Sequence, residues 1–266
     1  MRLSSLALLL PFVFAPPAAV SACSSTPAAP DAGLTLSDAT RPDTSATPLP
    51  TALASGLNEP RGLAVIGDTL YVAEHAGGRI VSVPRAGGAP QALASGRSGP
   101  YRIATDGQVL VVTEREGGNV VQITTGGALS VLASGIDSPS EVAVRDGIAY
   151  FTSNGSDGGP GSVWSVALGA GAPVKLATGV DRPGGMSVGE QIVYFTGNDV
   201  QGTPGNVFAV ARSPGDGGAS PDASTDASSA QVLIATPYVG YAVEADEDAG
   251  QIYWGVVKGS GAGGGE

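Results

Sequence analysis

The sequence is short of cysteine, histidine, aromatic side chains and charge, and each shortage closes off a class of protein. Its single cysteine, Cys23, permits no internal disulfide, so a stapled scaffold is excluded. Its single histidine, His75, leaves no zinc-ligand spacing, and no nucleophile elbow, phosphate loop or dinucleotide fingerprint occurs in the chain. Charged residues make up only 14% of the chain, and acids outnumber bases to a net charge of −11. Phosphate binding needs basic surface, so nucleic acid is excluded as a partner, and anionic lipid headgroups repel the chain as well. The longest apolar stretch, Leu6 to Phe14, falls short of the roughly 20 residues that span a bilayer.

What is present begins with an address. Arg2 supplies a positive start, the Leu6–Phe14 stretch follows, and Val20-Ser21-Ala22-Cys23 closes the segment. That ending resembles the lipobox of bacterial lipoproteins. The resemblance implies a signal peptide over 1–22, lipidation of Cys23, and attachment to a membrane of the cell envelope through several acyl chains. Ser24, following the cysteine, is compatible with the outer membrane. The other reading is an ordinary secretory signal in which Cys23 is incidental. Residues 23–50 are Ala, Pro, Thr, Ser and Asp, too polar and too small to offset their ordering entropy, and are expected to form a disordered tether.

Beyond the tether, 41 glycines and few aromatics suit a turn-rich all-β domain. The phrase Leu53-Ala54-Ser55-Gly56 returns at Leu93-Ala94-Ser95-Gly96 and Leu132-Ala133-Ser134-Gly135, then as Leu176-Ala177-Thr178-Gly179 and Leu233-Ile234-Ala235-Thr236. The step is about 40 residues once a Ser/Asp/Gly/Ala tract at 213–230 is set aside, and each step holds four short strands. That period predicts a β-propeller with one four-stranded blade per repeat. Residues 51–258 form the propeller, with 213–230 as a disordered insert and 259–266 as a Gly-rich tail. Four repeats are complete and a fifth is partial. The expected source is truncation of a six- or seven-bladed ancestor, the alternative being a ring that closes imperfectly, with Ala52 to Ser55 placed to supply an outermost strand to the last blade.

The repeat Pro60-Arg61-Gly62-Leu63-Ala64-Val65, then Tyr71-Val72-Ala73-Glu74, then Gly78-Arg79-Ile80-Val81-Ser82-Val83 resembles the NHL and YWTD repeats of six-bladed propellers. Ile252-Tyr253-Trp254 echoes the YWTD form. The pairing of such blades with an Asp/Ala/Ser-rich tether is similar to propeller lipoproteins common in myxobacterial genomes. These resemblances imply fold, because propellers host binding, scaffolding and enzymatic members alike.

The segments leading into the first strands and out of the second strands should meet at the channel mouth. They carry Arg61, Arg102 and Glu141 on one side and Glu74, His75, Glu114, Arg115, Asn154 and Asn198 on the other. Oxygen ligands converging there could hold calcium, as the resemblance to gluconolactonase-like lactonases implies. Glu74 and Glu114, however, occupy the YWTD aspartate position, whose role is bonding to a neighbouring blade, and Ser153 and Gly197 interrupt any carboxylate ring. His75 could act as a general base, as in streptogramin lyases, or be a solvated loop residue; spacing fixes no catalytic partner for it. The leading reading is a non-enzymatic lipoprotein whose propeller binds a protein, peptide or glycan. The alternatives are a calcium-assisted lactonase- or lyase-like enzyme, and a truncated paralogue without activity.

Overall fold

A computed structural model describes residues 51–155, 159–169, 171–197, 206–212, 231–235, 239–246 and 248–257. The signal segment, Cys23, the tether, Asn198, the 213–230 insert and the tail lie outside the described residues. Every regular element within them is a β-strand.

Blade 1 consists of β1 (Pro60–Ile66), β2 (Thr69–Glu74), β3 (Arg79–Pro84) and β4 (Gln91–Ser95). Blade 2 consists of β5 (Pro100–Thr105), β6 (Val109–Glu114), β7 (Asn119–Thr124) and β8 (Leu129–Ala133). Blade 3 consists of β9 (Pro139–Arg145), β10 (Ile148–Ser153), β11 (Gly161–Ala167) and β12 (Val174–Val180). Blade 4 consists of β13 (Met186–Val188), β14 (Ile192–Gly197), β15 (Asn206–Ala211) and β16 (Gln231–Ala235), and blade 5 of β17 (Val239–Asp246) and β18 (Gln251–Val257). Each four-stranded sheet runs in sequence order with antiparallel neighbours, and blade 5 is a two-stranded sheet among the described residues. Short turns make this order the natural one, because a hairpin joins antiparallel strands directly.

The inner strands follow one another, β1 beside β5, β5 beside β9, β9 beside β13 and β13 beside β17. Alternating side chains point to the two faces of each blade, so apolar residues from facing blades close a core between them. Ala64, Tyr71 and Ile80 of blade 1 meet Ile103, Leu110 and Ile123 of blade 2. Val111 and Val120 of blade 2 meet Phe151 and Val166 of blade 3, and Tyr150 and Val163 of blade 3 meet Phe195 and Phe208 of blade 4. The β1 and β5 backbones approach closely: a Cβ on Gly62 would sit 2.9 Å from Ile103 N and Tyr101 O.

The Leu-Ala-Ser-Gly phrase falls on the outermost strand of blade 1 at β4 and on its counterparts in later blades. Its first copy behaves differently from the expected strand of the last blade. Residues 51–59 hold no strand, and Leu53 O accepts a 3.0 Å hydrogen bond from Gly88 N of blade 1. A Cβ on Gly127 of blade 2 would lie 2.9 Å from Leu93 O, so Leu53 stands to blade 1 as Leu93 stands to blade 2.

Candidate recognition site

Inner strands begin and second strands end at the same edge of each blade, here called the upper rim. The register pairs Pro60 with Glu74, Pro100 with Glu114 and Pro139 with Ser153. At this edge the inner strands of blades 1 to 3 each carry one extra residue. The ladder slips between Pro60 and Gly62, between Pro100 and Ile103, and, on β9, between Pro139 and Val142. A bulge of this kind bends the strand and re-aims side chains. It therefore sets Arg61, Arg102 and Glu141 inside strands, whereas the sequence suggested connecting loops. A threonine on the second strand satisfies the displaced backbone: Arg102 N donates to Thr113 Oγ1 at 3.1 Å, and Glu141 N to Thr152 Oγ1 at 3.0 Å. Thr113 Oγ1 in turn donates to Ser140 O of the next blade at 2.7 Å.

Glu74 and Glu114 are fully buried at the ends of β2 and β6. Glu74 accepts from Arg79 through Nε and Nη2, and from Asn58 N at 2.7 Å. Burial works to raise its pKa, but the Arg79 guanidinium and the Asn58 amide together hold the carboxyl below its ordinary value. Glu114 accepts from Arg97 Nε, in the connection arriving from blade 1, and from Asn119 Nδ2 at 3.1 Å. Both carboxylates tie a blade to the chain that leads into it.

Arg102 links three blades. Its Nη1 donates to Arg61 O of blade 1 at 2.7 Å and its Nε to Glu141 Oε1 of blade 3 at 2.9 Å. Arg61 is itself ion-paired to Glu59, which keeps the Glu59 carboxyl below its ordinary pKa. The Tyr101 ring carries the Arg102 guanidinium at 4.7 Å and the Arg115 guanidinium at 4.8 Å. His75 meets the same ring edge-to-face at 5.9 Å, and its Nε2 lies 3.4 Å from Glu116 Oε1. The His75 side chain, in the turn after β2, is 20% exposed, and its Nδ1 is buried without a hydrogen-bond partner. An open cleft of about 480 Å³ lies here, lined by Glu59, His75, Arg97, Ser98, Gly99 and Glu116.

The backbone at the rim is strained in a repeating way. Glu59, Ser138 and Arg182 adopt φ of 53°, 51° and 48°, each directly before a proline that opens or precedes an inner strand. Left-handed non-glycine residues are uncommon and cluster where structure serves function. Two of these carbonyls are fixed by the residue just after a second strand: His75 N donates to Glu59 O at 3.0 Å, and Asn154 N to Ser138 O at 3.2 Å.

The described rim carboxylates are already paired. The Glu74 and Glu114 oxygens are occupied by arginine, amide and backbone donors, and Glu141 by Arg102. Among the described residues no group of three or more His, Cys, Asp or Glu side chains converges as a metal site. Thus the structure brings together Arg61, Arg102 and Glu141 in one relay, and His75 and Arg115 around one ring. It sets Glu74 and Glu114 apart in separate buried ion pairs.

Tyr101, Ser138, Glu116 and the threonines went unread in the sequence. The available signal was the threonine that recurs at 113, 152 and 196, one position before the second strands of blades 2 to 4 end, opposite two residues following a proline.

No protein-family model and no curated protein matches the sequence. Solved structures do. The chain is similar to a chain of a nidogen/laminin complex, with a TM-score of 0.55 at 15% identity, over 73% of this chain and 71% of that one. It is similar to XC5397 from Xanthomonas campestris, described as a gluconolactonase, with a TM-score of 0.56 at 16% identity over 74% and 70%. A streptogramin B lyase aligns with a TM-score of 0.54 at 15% identity over 74% of this chain and 62% of the lyase. The chain folds as a β-propeller. At these identities the likeness extends to the fold, and the propeller neighbours include binding proteins and enzymes alike.

Proposed function

We propose that this propeller is a binding module, held at the cell envelope by a lipid on Cys23, and that it recognises a protein, peptide or glycan at the upper rim of blades 1 to 3. The observation that carries the reading is the relay through Arg102. Bulged residues from three blades are bonded to one another before any ligand arrives, and a surface ordered in advance loses little entropy on binding. The buried carboxylates below the rim hold the blades together and support the relay.

Two experiments test the two halves of the reading. Cells expressing the full chain should incorporate labelled fatty acid into it, and Cys23→Ala should abolish the label; retention of label in that variant would sink the anchor. The full chain should bind discrete members of a peptide and glycan array, and Arg102→Glu should remove that binding while leaving the protein folded by circular dichroism. Array ligands indifferent to Arg102 would contradict a rim site.

A catalytic reading has one observation in its favour, the buried and unpartnered His75 Nδ1 beside an open cleft. Calorimetry with calcium addresses its lactonase-like form: heat of binding at micromolar metal would support it, and none would remove it.

A further inference from the structure

We propose that Arg115 is the carboxylate-binding residue of this rim and that the ligand is a peptide with an acidic side chain. The proposal rests on the binding-module reading above and names the chemistry that the rim selects.

Arginines at the rim are otherwise neutralised. Arg61, Arg79, Arg97 and Arg102 each hold a carboxylate, as do Arg145, Arg182 and Arg212 elsewhere. Among the described residues Arg115 is the half-buried arginine with no ion pair. Its Nε donates to Ser138 Oγ at 3.1 Å, which leaves both terminal nitrogens for a ligand. That forked edge matches a planar carboxylate bidentately.

The side chain is also held in place. Its guanidinium lies 4.8 Å over the Tyr101 ring, against which Arg102 and His75 also pack. Ser138, the residue that steers it, is one of the left-handed non-glycine residues, with φ of 51°, and Asn154 N fixes its carbonyl at 3.2 Å. A left-handed residue that helps orient an unpaired cation is the kind of position where strain clusters at functional sites.

Two features favour a peptide over an acidic glycan. The Tyr101 ring is already engaged by two guanidinium groups and a histidine, so a sugar has no free aromatic face there. A net charge of −11 repels polyanions such as polyuronates, whereas a single carboxylate needs one local cation. The neighbouring cleft, lined in part by Gly78, Ser98 and Gly99, offers room for a few residues of extended chain.

The test uses the full chain in detergent micelles and the capped peptide acetyl-Gly-Glu-Gly-amide, followed by NMR titration. The Glu peptide should bind with a shift of the Arg115 Nε–H signal. Its Gln counterpart on the wild type, and the Glu peptide on Arg115→Gln, should each bind about tenfold more weakly. Arg85→Gln, an exposed arginine at the opposite edge, should bind as the wild type does. The Glu/Gln comparison needs no variant, so it stands even if Arg115→Gln folds poorly. Equal binding of the two peptides, no binding of either, indifference to Arg115→Gln, or tighter binding of methyl glucuronide would each overturn the proposal. Array ligands that depend on Arg102 but not on Arg115 would overturn it while leaving the binding-module reading intact. If no ligand depends on the rim at all, both fall.

Discussion

Blades 1 and 2 end their second strands in a buried carboxylate, whereas blades 3 and 4 place Ser153 and Gly197 at the same backbone position. The first pair is held by charge: Arg79 and Asn58 on Glu74, Arg97 and Asn119 on Glu114. At this edge the second pair relies on rings, its ion pair of Arg212 with Asp146 lying at the opposite edge. Phe151 stacks on Trp164 at 6.3 Å and Phe195 on Phe208 at 5.3 Å, while Trp164 Nε1 donates to Ser153 Oγ at 3.3 Å. At Gly197 a Cβ would come within 2.5 Å of Val180 Cγ1, so no side chain of any charge fits there. One fold thus meets the same demand, joining a second strand to what surrounds it, by two kinds of physics. The ionic kind leaves ordered charge at the rim of blades 1 and 2, and the proposed ligand surface runs from those blades to Glu141 of blade 3.

The comparison can be broken from either side. Phe195→Ala empties a fully buried site between blades 3 and 4 and should cost about 3–5 kcal/mol in urea unfolding. Glu74→Gln should cost less, about 1.5–3 kcal/mol, because Arg79 is 39% exposed and can turn to water once its partner is gone. Thr113→Val keeps the shape and removes the hydroxyl that joins Arg102 N to Ser140 O. Its expected cost is smaller again, about 1–2 kcal/mol, with rim binding weakened as the bulge loosens. If Glu74→Gln proved as costly as Phe195→Ala, the two halves would not differ as described.

The blades were legible in the sequence because turn glycines and period-2 alternation recur at nearly constant spacing, and each strand of the four full repeats falls where that pattern puts it. The bulges were not legible. Arg61, Arg102 and Glu141 read as residues of connecting loops, since a single inserted residue leaves the alternation of the following strand intact. Glu74 and Glu114 were open to a ligand role or a structural one, and the geometry binds both to arginines. Arg97 gave no signal, because its partner Glu114 lies on the blade that follows. His75 was open to a general-base role or a solvated one, and Tyr101 and Glu116 of the next blade, which no local pattern announces, meet its ring. What the sequence conceals is contact across blades, where no short-range pattern operates.

Acid separates the two kinds of blade most directly. The folded Glu74 carboxyl sits below its ordinary pKa, so its stabilising contribution is complete above the unfolded value and is lost as pH falls through the folded one. Site-resolved hydrogen exchange, followed from about pH 6 to about pH 2, reads blades 1 and 4 in one experiment. Amides of β2 and β3 should lose protection as the pH drops below the ordinary carboxylate range. Those of β14 and β15 should keep theirs further into acid, and Glu74→Gln should remove the pH dependence in blade 1 that Glu74 supplies. Simultaneous loss in both blades, or acid-induced loss in blade 1 unchanged by Glu74→Gln, would contradict the division between charge-held and ring-held blades.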